Sequence, residues 1–433
     1  MLRRFLLVAV SGLFVVTAGC SESEPVEVTE ADLEAVARGI HERVITIDTH
    51  DDIPANFATP EVDPGVRGDR QVDLPKMREG GLDVAFFVVF VGQGDNDTAA
   101  YAGAYEQAMT KFEAIHRLTE QMYPDSIELA TSADDVERIV GEGKLAAAIA
   151  IENGWPVGED LANLARFRQL GGGYFGLVHN GHNQIADSTN PRNGEPAELH
   201  GGVSDYGAEV IAEVNRVGMM IDVSHASKAA MLEALQLSQA PVIGSHSACS
   251  ALCDVSRNMD DEQLLALRDN GGVIQMVALG DFVKITPERE AAIDELAREV
   301  TGLDTMGDVF RSRFAASEDE RAAVDAQLAE IQARAAAEVD PVYPPADVGD
   351  FVDHIDYAVS LIGLEHVGIS SDFDGGGGVV GWSDASETFN VTLELVERGY
   401  SEDEIRALWG GNLLRVWREV EEVARVIQAS GPN

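Results

Sequence analysis

Histidine and acidic residues recur in this sequence where short apolar runs come to an end. They are His50, Asp52, Glu152, His179, His225, His246 and Asp372. Imidazole nitrogens and carboxylate oxygens form a ligand set that suits Zn²⁺ or a similar divalent ion. A carboxylate beside such an ion can act as a general base or acid toward a metal-activated water. The residue types therefore indicate a divalent-metal site with acid–base chemistry close by.

The first candidate pair is His50 and Asp52, which follow the apolar run that begins at Val44. Residues two apart on a strand point to the same side, so both side chains can reach one metal ion. The H-x-D pattern alone is weak evidence, and a chance match or a turn-capping aspartate is an equal alternative. Asp48 and Asp51 flank the pair, and the sequence does not decide which carboxylate faces the interior.

Two further carboxylates need a partner. Glu152 closes the run A-A-A-I-A-I, where an unpaired charge is costly. Its partner is either a basic side chain, a helix amino terminus, or two metal ions that share the carboxylate. Asp372, in S-S-D-F-D-G, is either a general acid or base or a capping or salt-bridged residue. Asp374 is assigned to the turn that follows.

His225 and His246 end two consecutive apolar runs. Consecutive parallel strands are usually neighbours, so the two imidazoles would converge on one edge of the sheet. A lone histidine there is more often a hydrogen-bonded structural residue, but a pair on adjacent strands favours a metal site. The pair would bind a second ion, with Glu152 shared between the two sites.

Eight short apolar runs alternate with segments that have helical spacing. The runs cover residues 44–50, 83–91, 146–153, 174–179, 219–225, 241–247, 272–278 and 366–373. Continuous apolar runs are typical of parallel strands buried on both faces. Eight of them in alternation with helices predict an α/β fold, a (β/α)₈ TIM barrel. In such barrels the catalytic residues lie at the carboxyl ends of the strands, where the histidines and carboxylates fall here.

One connection is much longer than the others. Residues 286–339, after the seventh run, are charged and Ala-rich and predict a helical hairpin inserted into the barrel. The insertion contains no His or Cys, so we expect it to do no chemistry. Residues 402–428 have amphipathic spacing and predict a final helix that packs on the barrel.

The amino-terminal residues have the pattern of a secretion signal. Arg3 and Arg4 precede an apolar run over 5–16, and T-A-G-C then ends at Cys20. This ending resembles a bacterial lipobox, so we expect residues 1–19 to be a signal peptide and Cys20 to be lipidated; ordinary secretion is the alternative. Residues 20–40 would form a tether and first helix, and 41–433 the barrel. The expected location is the cell envelope, facing the periplasm, with the outer membrane favoured.

The charge balance excludes one class of binding partner. With 31 basic and 75 acidic residues, the formal net charge is −44. Phosphate binding needs a basic surface, so a nucleic-acid partner is excluded. Cys249 and Cys253 are too close in sequence for a good disulfide, and we expect two free, core-like residues. The oligomeric state is left open, with a homodimer as one alternative.

Taken in order, the motifs resemble those of the membrane (renal-type) dipeptidases, peptidase family M19 of the amidohydrolase superfamily. They are D-T-H-D-D-I-P at 48–54, I-E-N-G at 151–154, V-H-N at 178–180, I-D-V-S-H at 221–225, P-V-I-G-S-H-S at 241–247, S-R-N at 256–258, D-H-I-D-Y at 353–357, S-D-F-D-G at 371–375 and G-N-L-L-R-V at 411–416. The resemblance covers residues 44–417, apart from the insertion. Each motif alone is weak evidence, but their order and spacing are specific.

The resemblance implies two zinc ions per chain, bridged by Glu152. It places one ion on His50, Asp52 and Glu152 and the other on Glu152, His225 and His246. It also implies Asp372 as the catalytic acid and base and His179 as the group that polarises the scissile carbonyl. Arg257 would bind the substrate's terminal carboxylate, whereas from the residues alone a surface ion pair with Asp260 or Asp261 is favoured.

The activity implied is hydrolysis of dipeptides with a free carboxyl terminus by a hydroxide that bridges the metals. One alternative is another reaction on the same metal pair, with N-acyl amino acids or lactones as substrates, because one fold hosts many chemistries. A second alternative is a lipoprotein that binds peptides without cleaving them. It predicts missing ligands, and all the expected ligand positions are present.

Overall fold

The strands of the computed structural model, which describes residues 29–315 and 318–431, follow the predicted runs closely. They are β1 Ile47–Asp52, β2 Val84–Phe90, β3 Ile127–Leu129, β4 Leu145–Glu152, β5 Gly172–Gly176, β6 Met220–Asp222, β7 Val242–Ser247, β8 Val273–Val277 and β9 Val367–Ser370. Every predicted run overlaps one of them. The one strand without a predicted run is the three-residue β3, which pairs with β4 beside the main path of the sheet.

The strands form a barrel in the order β1-β2-β4-β5-β6-β7-β8-β9, and every pair is parallel. The first and last strands meet where the Asp52 amide donates to the Phe373 carbonyl at 2.9 Å. Eight parallel strands with flanking helices make a (β/α)₈ TIM barrel, so the predicted fold class is confirmed.

Both faces of the strands are buried, as their continuous apolar runs predict. Along β2, Val84, Phe86 and Val88 belong to the core inside the barrel, while the alternate residues pack toward the helices. Trp417 of the last helix packs on Phe86 inside the barrel, with ring centroids 5.6 Å apart. The predicted tail helix therefore does pack on the barrel.

The helices occupy the connections between strands. They are α1 Glu30–His41, α2 Leu74–Gly80, α3 Thr98–Arg117, α4 Ala133–Gly141, α5 Ala162–Gln169, α6 Asp205–Val217, α7 Lys228–Leu237, α8 Asp261–Asp269, α9 Gly280–Val283, α10 Pro287–Thr301, α11 Met306–Ala315, α12 Glu318–Arg334, α13 Val348–Ile362, α14 Phe389–Glu397, α15 Glu402–Arg406 and α16 Asn412–Ala429. Cys249 and Cys253 are buried and free, as expected.

The insertion follows β8, the seventh strand of the barrel, and is helical as predicted. It has three main helices, α10, α11 and α12, so the prediction of a two-helix hairpin is wrong. The extra break lies at Gly302, whose positive φ of 79° ends α10, and Thr305 then accepts the Asp308 amide at the start of α11. A small apolar core that includes Leu296, Val309 and Ile331 holds the three helices together.

Residues 1–19 and Cys20, the predicted signal peptide and lipidation site, lie outside the described residues. The first described element, α1, is capped by Thr29, whose side chain accepts the Asp32 amide. Between residues 29 and 431, leaving out 316–317, no helix combines the length and apolarity that crossing a bilayer would require.

Candidate metal centre

The carboxyl ends of the barrel strands bring all seven predicted side chains together. His50 and Asp52 come from β1, Glu152 from β4 and His246 from β7, while the others follow β5, β6 and β9. Six of the seven line one cavity of about 790 Å³, and His50 lies beneath its floor with 1% of its surface exposed. Residues that are up to about 320 positions apart in sequence thus share one mouth of the barrel.

Glu152 is the centre of this cluster, and its two carboxylate oxygens face different histidines. Oε2 lies 3.5 Å from Nε2 of His50. Oε1 lies 3.0 Å from Nε2 of His225 and 3.5 Å from Nε2 of His246, with Nε2 of His179 at 4.0 Å. The sequence left a basic side chain or a helix terminus open as partners, but the close partners in the described chain are imidazoles. A carboxylate placed in this way can bridge two cations.

The charges around Glu152 favour a bound cation. Burial opposes charge on Glu152, but the imidazoles of His50 and His179 hold its pKa well below the usual range. Burial also opposes charge on His50, yet the carboxylates near it, Glu152 foremost, raise its pKa to about 9. Burial raises the pKa of Asp52 to about 6 and that of Asp372 well above the usual range. Asp52 and Asp372 are thus buried where a carboxylate charge is unfavourable, a condition that a divalent ion relieves.

Three overlapping groups have ligand atoms close enough to hold a metal ion. They are His50, Glu152 and His246; Glu152, His179 and His225; and His50, Asp52 and Asp372. Glu152 belongs to two of the groups, as a bridging ligand would. The groups overlap with the two ligand sets that the resemblance implies, but they place His246 with His50 and include His179. The three groups share members because their ligand atoms lie close together. For example, Nε2 of His225 and Nε2 of His246 are 3.0 Å apart.

A hydrogen-bond chain behind His50 decides which ring nitrogen faces the site. The Tyr174 hydroxyl donates its one proton to the Thr49 carbonyl at 3.0 Å. It can therefore only accept from Nδ1 of His50, at 2.7 Å. In the neutral ring the lone pair is therefore on Nε2, the nitrogen that faces Glu152, where a metal ion can replace the proton that His50 otherwise binds.

His246 is oriented in the same way from a different strand. Ser245 Oγ donates to the Asp222 carboxylate at 2.8 Å and accepts from Nδ1 of His246 at 2.7 Å. Asp222 is 3% exposed and also accepts from the hydroxyl of Ser224. The buried Asp222 thus directs the free lone pair of His246 toward Glu152.

Asp372 lies at the rim of the same cluster, with Oδ1 3.9 Å from Nε2 of His50. Its backbone has a φ of 60°, an unfavourable region for a residue with a Cβ that is often found at functional sites. Within 29–315 and 318–431, its carboxylate caps no helix and pairs with no Lys or Arg, and its ion-pair partner is His50 of the same cluster. Asp374, in contrast, accepts the amides of Gln71 and Val72 and holds the turn, as assigned.

Arg257 lies in the cavity wall and is 6% exposed. Its guanidinium donates to the carbonyls of Ser224 and His246. The surface ion pair favoured from the residues alone is wrong, because Asp260 pairs with Lys228 at 2.6 Å instead. Burial lowers the pKa of Arg257 to about 10, so the side chain is still cationic at neutral pH. A buried guanidinium fork facing a cavity suits a carboxylate ligand.

Several residues of the site were missed by the sequence analysis. Tyr174 and Asp222 support the histidines from within the barrel, and Phe90 packs on His179 with ring centroids 4.5 Å apart. Lys111 of α3 and Arg313 of α11 also line the cavity. The insertion therefore forms part of the cavity wall although it has no His or Cys. No motif marks a helical Lys or Arg as a cavity residue, so no signal for these two was available.

A parallel barrel with clustered imidazoles and carboxylates at its carboxyl end defines the class of this protein as a metal-dependent hydrolase. The sequence model described as membrane dipeptidase (peptidase family M19) matches residues 34–431. The chain therefore belongs to this family, and the resemblance drawn from its motifs is confirmed. It is a metallopeptidase of the dipeptidase type.

Individual relatives agree with the family assignment. The chain is 31% identical over 367 residues to dipeptidase aclJ of Aspergillus oryzae, covering 84% of this chain and 73% of the relative. It is 30% identical to dipeptidase tcpJ of Claviceps purpurea, covering 82% and 70%. Among solved structures it is similar to the probable dipeptidase PvdM from Pseudomonas aeruginosa. That similarity has a TM-score of 0.78 and 32% identity and covers 91% of this chain and 100% of the other.

Proposed function

We propose that this protein is a zinc-dependent dipeptidase that cleaves dipeptides with a free carboxyl terminus. Two zinc ions would be held by His50, Asp52, Glu152, His225 and His246. The observation that carries the proposal is the placement of Glu152, whose Oε2 faces His50 while Oε1 faces His225 and His246. Three imidazole nitrogens with two carboxylates are a ligand set that zinc favours.

When bound, the zinc ions would polarise the scissile carbonyl and lower the pKa of a water, supplying a nucleophile near neutral pH. Asp372 would accept a proton from that water and return it to the leaving amine nitrogen. Its raised pKa suits a carboxyl group that takes up and releases a proton. Burial lowers the pKa of His179, so its neutral ring can donate an N–H to the carbonyl oxygen as negative charge develops.

Arg257 would determine the length of the substrate. Its guanidinium is buried against the backbone of Ser224 and His246, so it can receive one carboxylate at a fixed place. A longer peptide would place an uncharged amide against this buried cation and leave it unpaired, which is costly. A free carboxylate one residue beyond the scissile bond fits this arrangement.

The test is hydrolysis of L,L- and L,D-dipeptides by protein lacking residues 1–20, with metal content measured in parallel. We expect about two zinc ions per chain, turnover that is lost on chelation and restored by zinc, and a dipeptide amide cleaved at least about tenfold more slowly. N-acyl amino acids and lactones serve as comparison substrates. Two bound metals with turnover of those substrates alone would contradict the dipeptidase proposal.

We also propose that a lipid on Cys20 attaches the protein to the bacterial envelope, facing the periplasm. The support is the basic pair, the apolar run over 5–16 and the small residues before Cys20. We expect the full-length chain to incorporate a labelled fatty acid and to fractionate with membranes. Cys20→Ala should lose the label and appear in the soluble fraction. If Cys20→Ala still incorporates the labelled fatty acid, the lipid is attached to another residue.

A further inference from the structure

Basic side chains are concentrated in the wall of the catalytic cavity, although acidic residues outnumber basic ones 75 to 31. Four of them line it: Arg70, Lys111, Arg257 and Arg313. Arg70 pairs with Asp374 at 2.9 Å, and Arg313 pairs with Asp325. Lys111 and Arg257 have no acidic partner at ion-pair distance in the described parts of the chain. These two cations are therefore available to a ligand.

Lys111 and Arg257 lie on opposite walls of the cavity. Lys111 extends from α3, and its Nζ lies 5.6 Å from the centre of the Phe90 ring at the end of β2. Arg257 is hydrogen-bonded to the backbone that follows β6 and to β7. The barrel has eight strands, and β2 and β7 are separated by four positions in their order. The two strands therefore lie across the mouth of the barrel from each other.

The metal-ligand cluster lies between these two cations. Lys111 interacts electrostatically with Asp52 and Glu152, and Arg257 with Glu152 and Asp372. If Arg257 holds the terminal carboxylate, as the proposed function requires, the scissile carbonyl lies over Glu152. The amino-terminal residue of the substrate then extends toward the wall that carries Lys111. An acidic group on that residue would meet an unpaired ammonium there.

We propose that Lys111 selects dipeptides whose amino-terminal residue carries a second carboxylate. An α-linked glutamyl or aspartyl residue provides this group on its side chain, and a γ-linked glutamyl residue provides it on its α-carbon. The proposal rests on the proposed dipeptidase function and adds a substrate class to it. The α-ammonium of such a substrate would face the carboxylates of Asp52 and Asp372.

The test compares kcat/KM for Glu-Ala, γ-Glu-Ala and Gln-Ala, the uncharged isostere of Glu-Ala, with zinc-loaded protein. We expect one of the two acidic substrates to exceed Gln-Ala by about tenfold or more, since a charge-assisted contact contributes roughly that factor. The acidic substrate that is favoured identifies the linkage. In Lys111→Met this ratio should fall to within about twofold of one, and Lys111→Arg should keep most of it.

Lys144→Met is the matched control, because Lys144 pairs with Glu128 just before β4 begins, at the other end of the barrel. It should keep the wild-type ratio, and thermal unfolding should be compared for all variants. If Lys111→Met does not fold, Lys111→Gln takes its place. A wild-type ratio near one for both acidic substrates, or a ratio unchanged in the Met or Gln variant, would overturn the role of Lys111. Failure of the loaded protein to cleave any dipeptide would instead overturn the proposed function, and this inference with it.

Discussion

Glu152→Gln is expected to remove metal from both halves of the site, the half beside His50 and the half beside His225 and His246, and to abolish dipeptide hydrolysis. One oxygen of Glu152 faces His50 and the other faces His225 and His246, so the carboxylate serves both halves. The amide has the same shape but carries no charge and presents only one ligand oxygen. Loss of a residue that only supports a ligand costs about 10–100-fold in metal affinity, so loss of a shared ligand should cost at least about 100-fold.

Metal content after dialysis and kcat/KM are the two measurements for this variant. Glu128→Gln is a suitable control, because Glu128 is a surface residue paired with Lys144 and Arg138. Retention of two metals in Glu152→Gln would show that Glu152 does not bridge them. Loss of one metal would show that the carboxylate serves only one half of the site.

Asp372→Asn is expected to lower kcat by about 10²–10⁴-fold while most of the bound metal is kept, because removal of a general acid–base group has an effect of that size. Asp372 is 7% exposed, and its carboxylate lies 3.9 Å from His50 and pairs with no Lys or Arg within the described residues. The Asn side chain fills the same space but cannot take up and return a proton.

Metal content and thermal unfolding separate this effect from a loss of structure. Asp353→Asn, at a surface carboxylate paired with Arg398, is the matched control. Near-wild-type kcat in Asp372→Asn would assign the proton transfer to another group. Loss of metal together with activity would indicate that Asp372 is mainly a ligand, in line with its grouping with His50 and Asp52.

The barrel was predictable from sequence because its signals are local. Strands such as β2 and β4 are short runs that are apolar at consecutive positions, and such runs are found where both faces of a strand are covered. Strand β3 was not predicted because it has only three residues, too few to form a recognisable apolar run. The number of helices in the insertion was misjudged because Gly302 and Thr305 break a charged segment that reads as continuous.

The composition of the candidate metal centre was also predictable, because the carboxyl ends of parallel strands meet at one edge. A histidine or carboxylate that ends a predicted strand must therefore face the same mouth as the others. The motifs around His50, Glu152 and His225 were specific enough in order and spacing to indicate the family. The residue types and their places along the chain thus determined the fold class, the kind of site and the family.

Only the tertiary structure decided how these residues are held and what surrounds them. His50 is oriented by Tyr174, which lies 124 positions away in sequence. Arg257 is buried beside the cluster instead of pairing at the surface, and Lys111 reaches the cavity from a helix that has no recognisable motif. Such contacts depend on the relative placement of distant strands and helices, which no local pattern encodes. For that reason, the orientation of the candidate ligands and the charges that line the cavity could be described only from the folded barrel.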